Sequence, residues 1–111
     1  MIERVWYPGL ESHPGHDIAA RQMHGGFGGV LSVQLAGGAE AAKKFVDYTE
    51  IFTLAESLGG VESLIEVPAA MTHASVAGTT LQVPGNLVRI SVGIENADDL
   101  IADLKQALDR L

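Results

Sequence analysis

The chain has 111 residues and 11.7 kDa, which is enough for one domain, because domains cluster at about 100 to 150 residues. Seven Lys and Arg against fourteen Asp and Glu give a net charge of −7, which argues against nucleic acid or an anionic membrane as a partner. The sequence has no cysteine, no window of about 18 apolar residues and no basic, apolar leader at its start. Disulfides, thiolate metal sites and a cysteine nucleophile are therefore excluded, and we expect a cytoplasmic protein.

The first third of the chain predicts one helix and one strand. The β-prone run at residues 5–7 is short and ends at a Pro-Gly turn, so we interpret it as a lead-in. Ser12 is a suitable N-cap and Pro14 is tolerated in a first turn, which predicts a helix over residues 13–24. Strict alternation over residues 30–35 then predicts a half-buried strand.

The middle of the chain predicts a helix and two strands. Apolar residues recur at helical spacing over residues 39–47, which is typical of an amphipathic helix. Residues 51–55 and 63–67 have strand character, and we expect them to be neighbours in one sheet. Residues 69–86 are interpreted mostly as loop, with at most a short strand at residues 80–83.

The last third predicts a strand and a helix. Alternation over residues 87–92 places Val88, Ile90 and Val92 against a core and Arg89 and Ser91 on the opposite face. A helix is predicted over residues 97–110, with Asn96 as its N-cap.

These elements, joined by short links, predict the fold class. We expect an α+β two-layer sandwich with a mainly antiparallel sheet of about four strands and helices on one face. No repeat or linker divides the chain.

Three sets of residues are weak candidates for chemistry. The four histidines, His13, His16, His24 and His73, suggest metal ligands, but Pro14 and Gly15 break the spacing of the first pair, and capping or surface roles are more common. The glycines at residues 25–29 suggest a phosphate loop, yet they follow a helix and precede a strand, the reverse of the required order. The lysines, Lys43, Lys44 and Lys105, lie on polar helix faces, which does not suit a Schiff-base amine.

Arg89 is the stronger candidate. An arginine on the face opposite the core is most often simply solvated, but its planar fork also suits a carboxylate held by two hydrogen bonds. Glu56 and Ser57 follow a neighbouring strand, where a hydroxyl and loop amides would complete an anion site, although an ordinary turn explains them equally. The residues alone therefore predict an α+β domain with a candidate carboxylate site and no catalysis by this chain alone.

Several motifs follow one another along nearly the whole chain: Tyr7-Pro8-Gly9-Leu10, Ser12-His13-Pro14, Gln22-Met23, Gly28-Gly29, Ala55 to Leu64, Pro68-Ala69, Met71-Thr72-His73 and Arg89 to Glu95. In the order of these motifs the chain resembles the C-terminal domain of the Cys/Met-metabolism pyridoxal phosphate (PLP) enzymes. Within that family, the Ser-Leu-Gly-Gly-Val-Glu-Ser-Leu form of residues 57–64 is similar to the cystathionine γ-synthase and γ-lyase branch.

The resemblance implies a fold-type I enzyme in which residues 1–111 form one substrate-binding domain. A large upstream domain would supply PLP and its Schiff-base lysine, so no catalytic, cofactor-binding or metal-binding residue is expected in this chain. The resemblance implies substrate-binding roles for Arg89, which would hold the α-carboxylate, for Ser57 and Leu58, which would lie against it, and for Glu56 and Thr72, which would line the substrate side. Residues 77–85 depart from the longer, charged segment of many relatives.

The same resemblance implies a function and partners. The parent enzyme would join cysteine to an O-acylated homoserine by γ-replacement, as a homotetramer with PLP, while the isolated chain would be inactive. The alternatives are a γ-lyase domain and a non-catalytic module for amino-acid binding or assembly.

Overall fold

The computed structural model describes residues 1–71 and 82–111, and these residues form one five-stranded sheet and four helices. The strands are β1 (Ile2–Trp6), β2 (Val30–Leu35), β3 (Thr53–Leu54), β4 (Leu64–Glu66) and β5 (Leu87–Ser91). The helices are α1 (His16–Gln22), α2 (Gly38–Tyr48), α3 (Pro68–Met71) and α4 (Ala97–Asp109). In this part of the chain no helix is both long and apolar enough to cross a membrane.

The sheet has the strand order β1-β2-β5-β4-β3. Three of its pairings are antiparallel, and the β3–β4 pairing is parallel. The predicted α+β class with a mainly antiparallel sheet is confirmed. The interpretation of residues 5–7 as a lead-in was wrong: β1 is an edge strand in which Val5 pairs with Val33, a partner too distant in sequence for a local pattern to reveal.

The hydrophobic core lies between one face of the sheet and the helices α2 and α4. Val33 and Val88 pair in register on this face and are 3% and 0% exposed. The amphipathic pattern of α2 is confirmed, since its buried residues are Ala42, Phe45 and Val46. Polar side chains such as Arg89, Glu66 and Ser91 lie on the opposite face of the sheet.

The helix ends follow local hydrogen bonding. Asn96 caps α4 as predicted, because its side-chain Oδ1 accepts the backbone N–H of Asp99 at 3.1 Å. The first helix is shorter than residues 13–24, because the chain before it forms successive turns, with the N–H of His13 donating to Leu10 and that of His16 donating to His13. Ser12 therefore does not cap α1.

Two further boundaries differ from expectation. The stretch predicted as loop after residue 68 begins with the short helix α3. Thr80 and Leu81, the first half of the predicted short strand, lie outside the described residues, and Gln82 and Val83 are not in a strand.

Strand β5 ends one residue earlier than predicted. Val88 and Ile90 face the core at 0% and 2% exposure, as expected, but Val92 lies beyond the strand and is 39% exposed. Ser91 is on the face opposite the core but only 1% exposed, so this part of the polar face is covered.

Candidate functional site

Arg89 lies in the centre of the polar face of the sheet. It pairs in register with Ser32 of β2 on one side and with Glu66 of β4 on the other, and Ser32 pairs in turn with Trp6 of β1. Because directly opposed residues in antiparallel strands project from the same face, these four side chains form one row across four strands. We call Trp6, Ser32, Arg89 and Glu66 the polar row.

The guanidinium of Arg89 is paired rather than solvated. Its Nη2 lies 3.1 Å from Oε1 of Glu66, and the two side chains are 17% and 1% exposed. The more common expectation for such an arginine, a freely solvated side chain, was therefore wrong. Glu66 was not among the predicted site residues. A buried carboxylate opposite an arginine fixes the position of the cation, because breaking such a pair leaves an uncompensated buried charge.

The loop after β3 contacts Arg89 through its backbone. Nη2 of Arg89 donates to the carbonyl oxygens of Glu56 and Ser57 at 3.0 and 3.3 Å. The side chains of Glu56, Ser57 and Leu58 are exposed. The structure therefore brings Glu56 and Ser57 to Arg89, but with carbonyl oxygens towards it rather than the expected hydroxyl and amides. Leu58 follows them in the same exposed loop.

The same loop is tied to β5 a second time. The N–H of Gly59 donates to the hydroxyl of the buried Ser91 at 2.8 Å. Gly59 has a φ of 78°, which a residue with a side chain rarely adopts, and this turn brings its amide to Ser91. Ser91, which lies two positions after Arg89 in β5, thus holds this loop through its hydroxyl. The remaining predicted site residue, Thr72, lies outside the described residues.

At the β1 end of the polar row, Trp6 is held by its neighbours. Its Nε1–H donates to Oε1 of Gln34 at 2.9 Å, and the guanidinium of Arg4 stacks over its ring at 3.6 Å. Both Trp6 and Ser32 are half-buried. The strand predicted over residues 30–35 includes Ser32, but no sequence signal brought Trp6 to the site, because β1 was not recognised as a strand.

Ser63, Gly93 and Glu95 support the edge of the site. Oγ of Ser63 donates to Oε1 of Glu95 at 2.6 Å and accepts the N–H of Gly93 at 2.8 Å. The hydrogen bonds from the hydroxyl and the backbone of Ser63 hold the pKa of Glu95 below its usual value. A carboxylate that stays ionised at neutral pH therefore links the start of β4 to the segment after β5.

The histidines near α1 serve local structure. Nδ1 of His13 accepts the N–H of Gly15 at 2.9 Å, and Nδ1 of His16 donates to the carbonyl of Pro8 at 2.7 Å. Among the residues that the structure describes, no three His, Cys, Asp or Glu side chains come close enough to hold a metal ion. His73 lies outside that set.

The glycine-rich segment forms a turn between α1 and β2. Gly25, Gly26 and Gly28 have positive φ angles, and the carbonyl of Gly28 accepts the hydroxyl of Tyr7 at 2.9 Å. The carbonyl of Gly29 accepts the N–H of Val92 at 2.7 Å, which ties this turn to the end of β5. These contacts present carbonyl oxygens, which suits a structural turn better than phosphate binding.

The three lysines are exposed on the helices. Lys43 pairs with Glu40 and Lys105 with Asp109, and the two lysine side chains are 59% and 74% exposed. Lys44 is also exposed on α2. The hydrogen bond and charge of Asp109 raise the pKa of Lys105. None of the three has the buried, neutral amine that Schiff-base chemistry requires.

Comparison with known proteins gives consistent matches over nearly the whole chain. The sequence profile described as "Cys/Met metabolism PLP-dependent enzyme" matches residues 1–109. Cystathionine gamma-synthase of Mycobacterium leprae is 61% identical over 97% of the chain, and cystathionine gamma-lyase of Saccharomyces cerevisiae is 54% identical over 96%. The crystal structure of MetB from Corynebacterium glutamicum matches 98% of the chain with a TM-score of 0.94 and 60% identity. The chain spans 28% of the length of each of these three proteins.

Proposed function

The chain belongs to the family of Cys/Met metabolism PLP-dependent enzymes, and from this we propose that it is the domain that binds the α-carboxylate of an amino-acid substrate. Arg89 is the binding residue. The observation that supports this proposal is the fixed, largely buried guanidinium of Arg89 on the polar face of the sheet, paired with Glu66 and bonded to the loop at residues 56–57. A guanidinium fork held in place is well suited to orient a carboxylate.

The parent enzyme in this proposal is a cystathionine γ-synthase. It would join cysteine to an O-acylated homoserine by γ-replacement, and the relative from Mycobacterium leprae that carries this name supports it. The 54% identity to a γ-lyase from yeast favours γ-lyase activity as the second candidate. Cystathionine formation from O-acylhomoserine and cysteine, measured against release of cysteine from cystathionine, distinguishes the two.

The residues of this chain do not fit a PLP site of their own, because all three lysines are exposed on helix surfaces. The proposal therefore assigns PLP and its Schiff-base lysine to an upstream domain of the parent enzyme. The chain covers only 28% of the length of the Mycobacterium leprae relative, and the rest of that length is sufficient for such a domain. The proposal also includes a cytoplasmic homotetramer as the working form of the parent. In this chain, Glu56, Ser57, Leu58 and Thr72 remain proposed substrate contacts.

The test is substitution of Arg89 in the full-length enzyme that contains this chain. Arg89→Lys keeps one positive charge but not the fork, so we expect kcat/KM for the amino-acid substrate to fall about tenfold to a hundredfold, mainly through KM. Arg110→Lys is the matched control, since Arg110 stacks on Tyr48 at the end of α4. Unchanged kinetics in a folded Arg89→Lys enzyme would contradict the proposal.

A non-catalytic module for amino-acid binding or assembly is the rival from another class. It predicts that the isolated 111-residue chain binds an O-acylhomoserine by calorimetry and that Arg89→Ala abolishes the heat. The enzyme proposal instead predicts turnover only when the chain is joined to its PLP-binding domain.

A further inference from the structure

Glu66 is a buried carboxylate at the β4 end of the polar row, and neither the sequence motifs nor the family resemblance gave it a role. We propose that Glu66 is a positioning residue: through its contact with Nη2 it fixes the orientation of the Arg89 guanidinium, and its charge offsets part of the positive charge of Arg89. This inference rests on the proposed function of Arg89 as the carboxylate-binding residue.

The first support is the backbone register. Glu66 pairs directly with Arg89 across β4 and β5, while their neighbours Ile65 and Ile90 pair on the core face. The position of the carboxylate relative to the arginine is therefore set by the ladder of the sheet and not by two flexible surface side chains. With Glu66 only 1% exposed, little water screens the pair.

The second support is the atom that Glu66 contacts. Within the described residues, all polar contacts of Arg89 use Nη2: Oε1 of Glu66 at 3.1 Å and the carbonyl oxygens of Glu56 and Ser57 at 3.0 and 3.3 Å. Nη2 carries two N–H bonds. A carboxylate can form two hydrogen bonds to a guanidinium either through Nη1 and Nη2 or through Nε and Nη2, so Nη2 takes part in both arrangements. A substrate carboxylate held by two hydrogen bonds would therefore contact the same nitrogen as Glu66.

Two opposite effects follow from this arrangement. Because Glu66 holds Nη2 in place, the substrate carboxylate meets the guanidinium in one orientation, which aligns the substrate for reaction. Because Glu66 is negatively charged and close to Arg89, it also weakens the attraction of Arg89 for a second carboxylate. Removal of its charge should therefore strengthen carboxylate binding and slow turnover.

The experiment uses the full-length holoenzyme that contains this chain, with propionate as a competitive inhibitor that carries the carboxylate alone. In Glu66→Gln, which keeps an oxygen acceptor for Nη2 but removes the charge, we expect the Ki of propionate to fall about threefold. We expect kcat to fall about tenfold or more, because the guanidinium is less firmly oriented. Glu66→Asp keeps the charge on a shorter side chain, so its Ki should match wild type while its kcat is reduced.

The matched control is Asp103→Asn, which neutralises another buried carboxylate on the opposite side of the sheet, in α4. We expect it to lower the melting temperature without changing Ki or kcat.

An unchanged or increased Ki for propionate in Glu66→Gln would overturn the inference, as would the same change of Ki and kcat in Asp103→Asn. If Arg89→Lys weakens propionate binding while Glu66→Gln behaves as wild type, only this inference fails. A wild-type Ki in Arg89→Lys contradicts the proposed function itself.

Discussion

Ser63 holds both carboxylate oxygens of Glu95, 32 residues further along the chain. Its hydroxyl donates to Oε1 at 2.6 Å and its backbone N–H donates to Oε2 at 3.0 Å. Ser63 is fully buried, and the N–H of Gly93 donates to the same hydroxyl. The start of β4 and the segment after β5 are thus joined by three hydrogen bonds that share one serine.

Ser63→Ala should destabilise the chain, because it leaves the N–H of Gly93 and one oxygen of Glu95 without this partner. We expect the free energy of unfolding to fall by about 1–3 kcal/mol, measured by urea denaturation at neutral pH. Ser12→Ala, at an exposed serine, is the control and should be neutral. Equal stability of the two variants would show that the Ser63–Glu95 link contributes little.

Asp103 should make the fold sensitive to acid. Burial raises its pKa, but hydrogen bonds from the backbone N–H groups of Glu50, Phe52 and Ile51 more than offset this, so its pKa lies below the usual value. A lowered folded-state pKa means that the stabilisation is complete at neutral pH, above the unfolded-state pKa, and is lost as the pH falls through the folded-state pKa.

Asp103→Asn should therefore lower stability at pH 7 by about 1–3 kcal/mol and give a shallower loss of stability in acid than wild type. Urea denaturation at several pH values from neutral to strongly acidic measures both effects. The control Asp47→Asn changes an exposed aspartate on α2 and should keep the wild-type acid slope. A wild-type slope in Asp103→Asn would exclude this carboxylate as a source of acid sensitivity.

Gly93→Ala should be strongly destabilising. A Cβ at this position would overlap the carbonyl oxygen of Val61 and lie 2.7 Å from the carbonyl carbon of Glu62, and backbone atoms cannot move aside easily. We expect a loss of about 1–3 kcal/mol or more in the free energy of unfolding. Gly60→Ala is the matched control, because nothing lies within 4 Å of its Cβ position. Similar denaturation midpoints for both variants would contradict the close packing at Gly93.

Ser91→Ala should loosen the loop that meets Arg89. The hydroxyl of Ser91 accepts the N–H of Gly59, so its removal should increase hydrogen exchange at the Gly59 amide by about tenfold. The N–H of Asp99, which Asn96 caps in α4, should exchange at its wild-type rate and serves as an internal reference. Unchanged exchange at Gly59 would mean that the carbonyl contacts to Arg89 alone hold the loop.

The sequence was sufficient to predict those helices and strands in which apolar and polar residues repeat at a regular spacing. Alternation located β2 and β5 to within a residue at each end, and helical spacing with an N-cap residue located α4. The same alternation placed Arg89 on the face opposite the core, which was sufficient to select it as a candidate site residue.

The partners of Arg89 could not be predicted in this way, because they depend on the register between strands distant in sequence. Glu66 lies 23 positions before Arg89, and only the pairing of β4 with β5 brings the two together. Asp103 left a clearer signal, since it interrupts the buried face of α4 between Leu100 and Ala107, where a charged residue needs nearby donors. That signal was available in the sequence and was missed.

The polar row forms only when the strands pair in the observed register. A slip of β5 by one residue would turn Arg89 into the core and place Ile90 or Val88 on the polar face, so a misaligned sheet would lack the proposed carboxylate site. A carboxylate ligand would then stabilise the correctly aligned chain selectively, and addition of substrate during refolding should increase the yield of native protein.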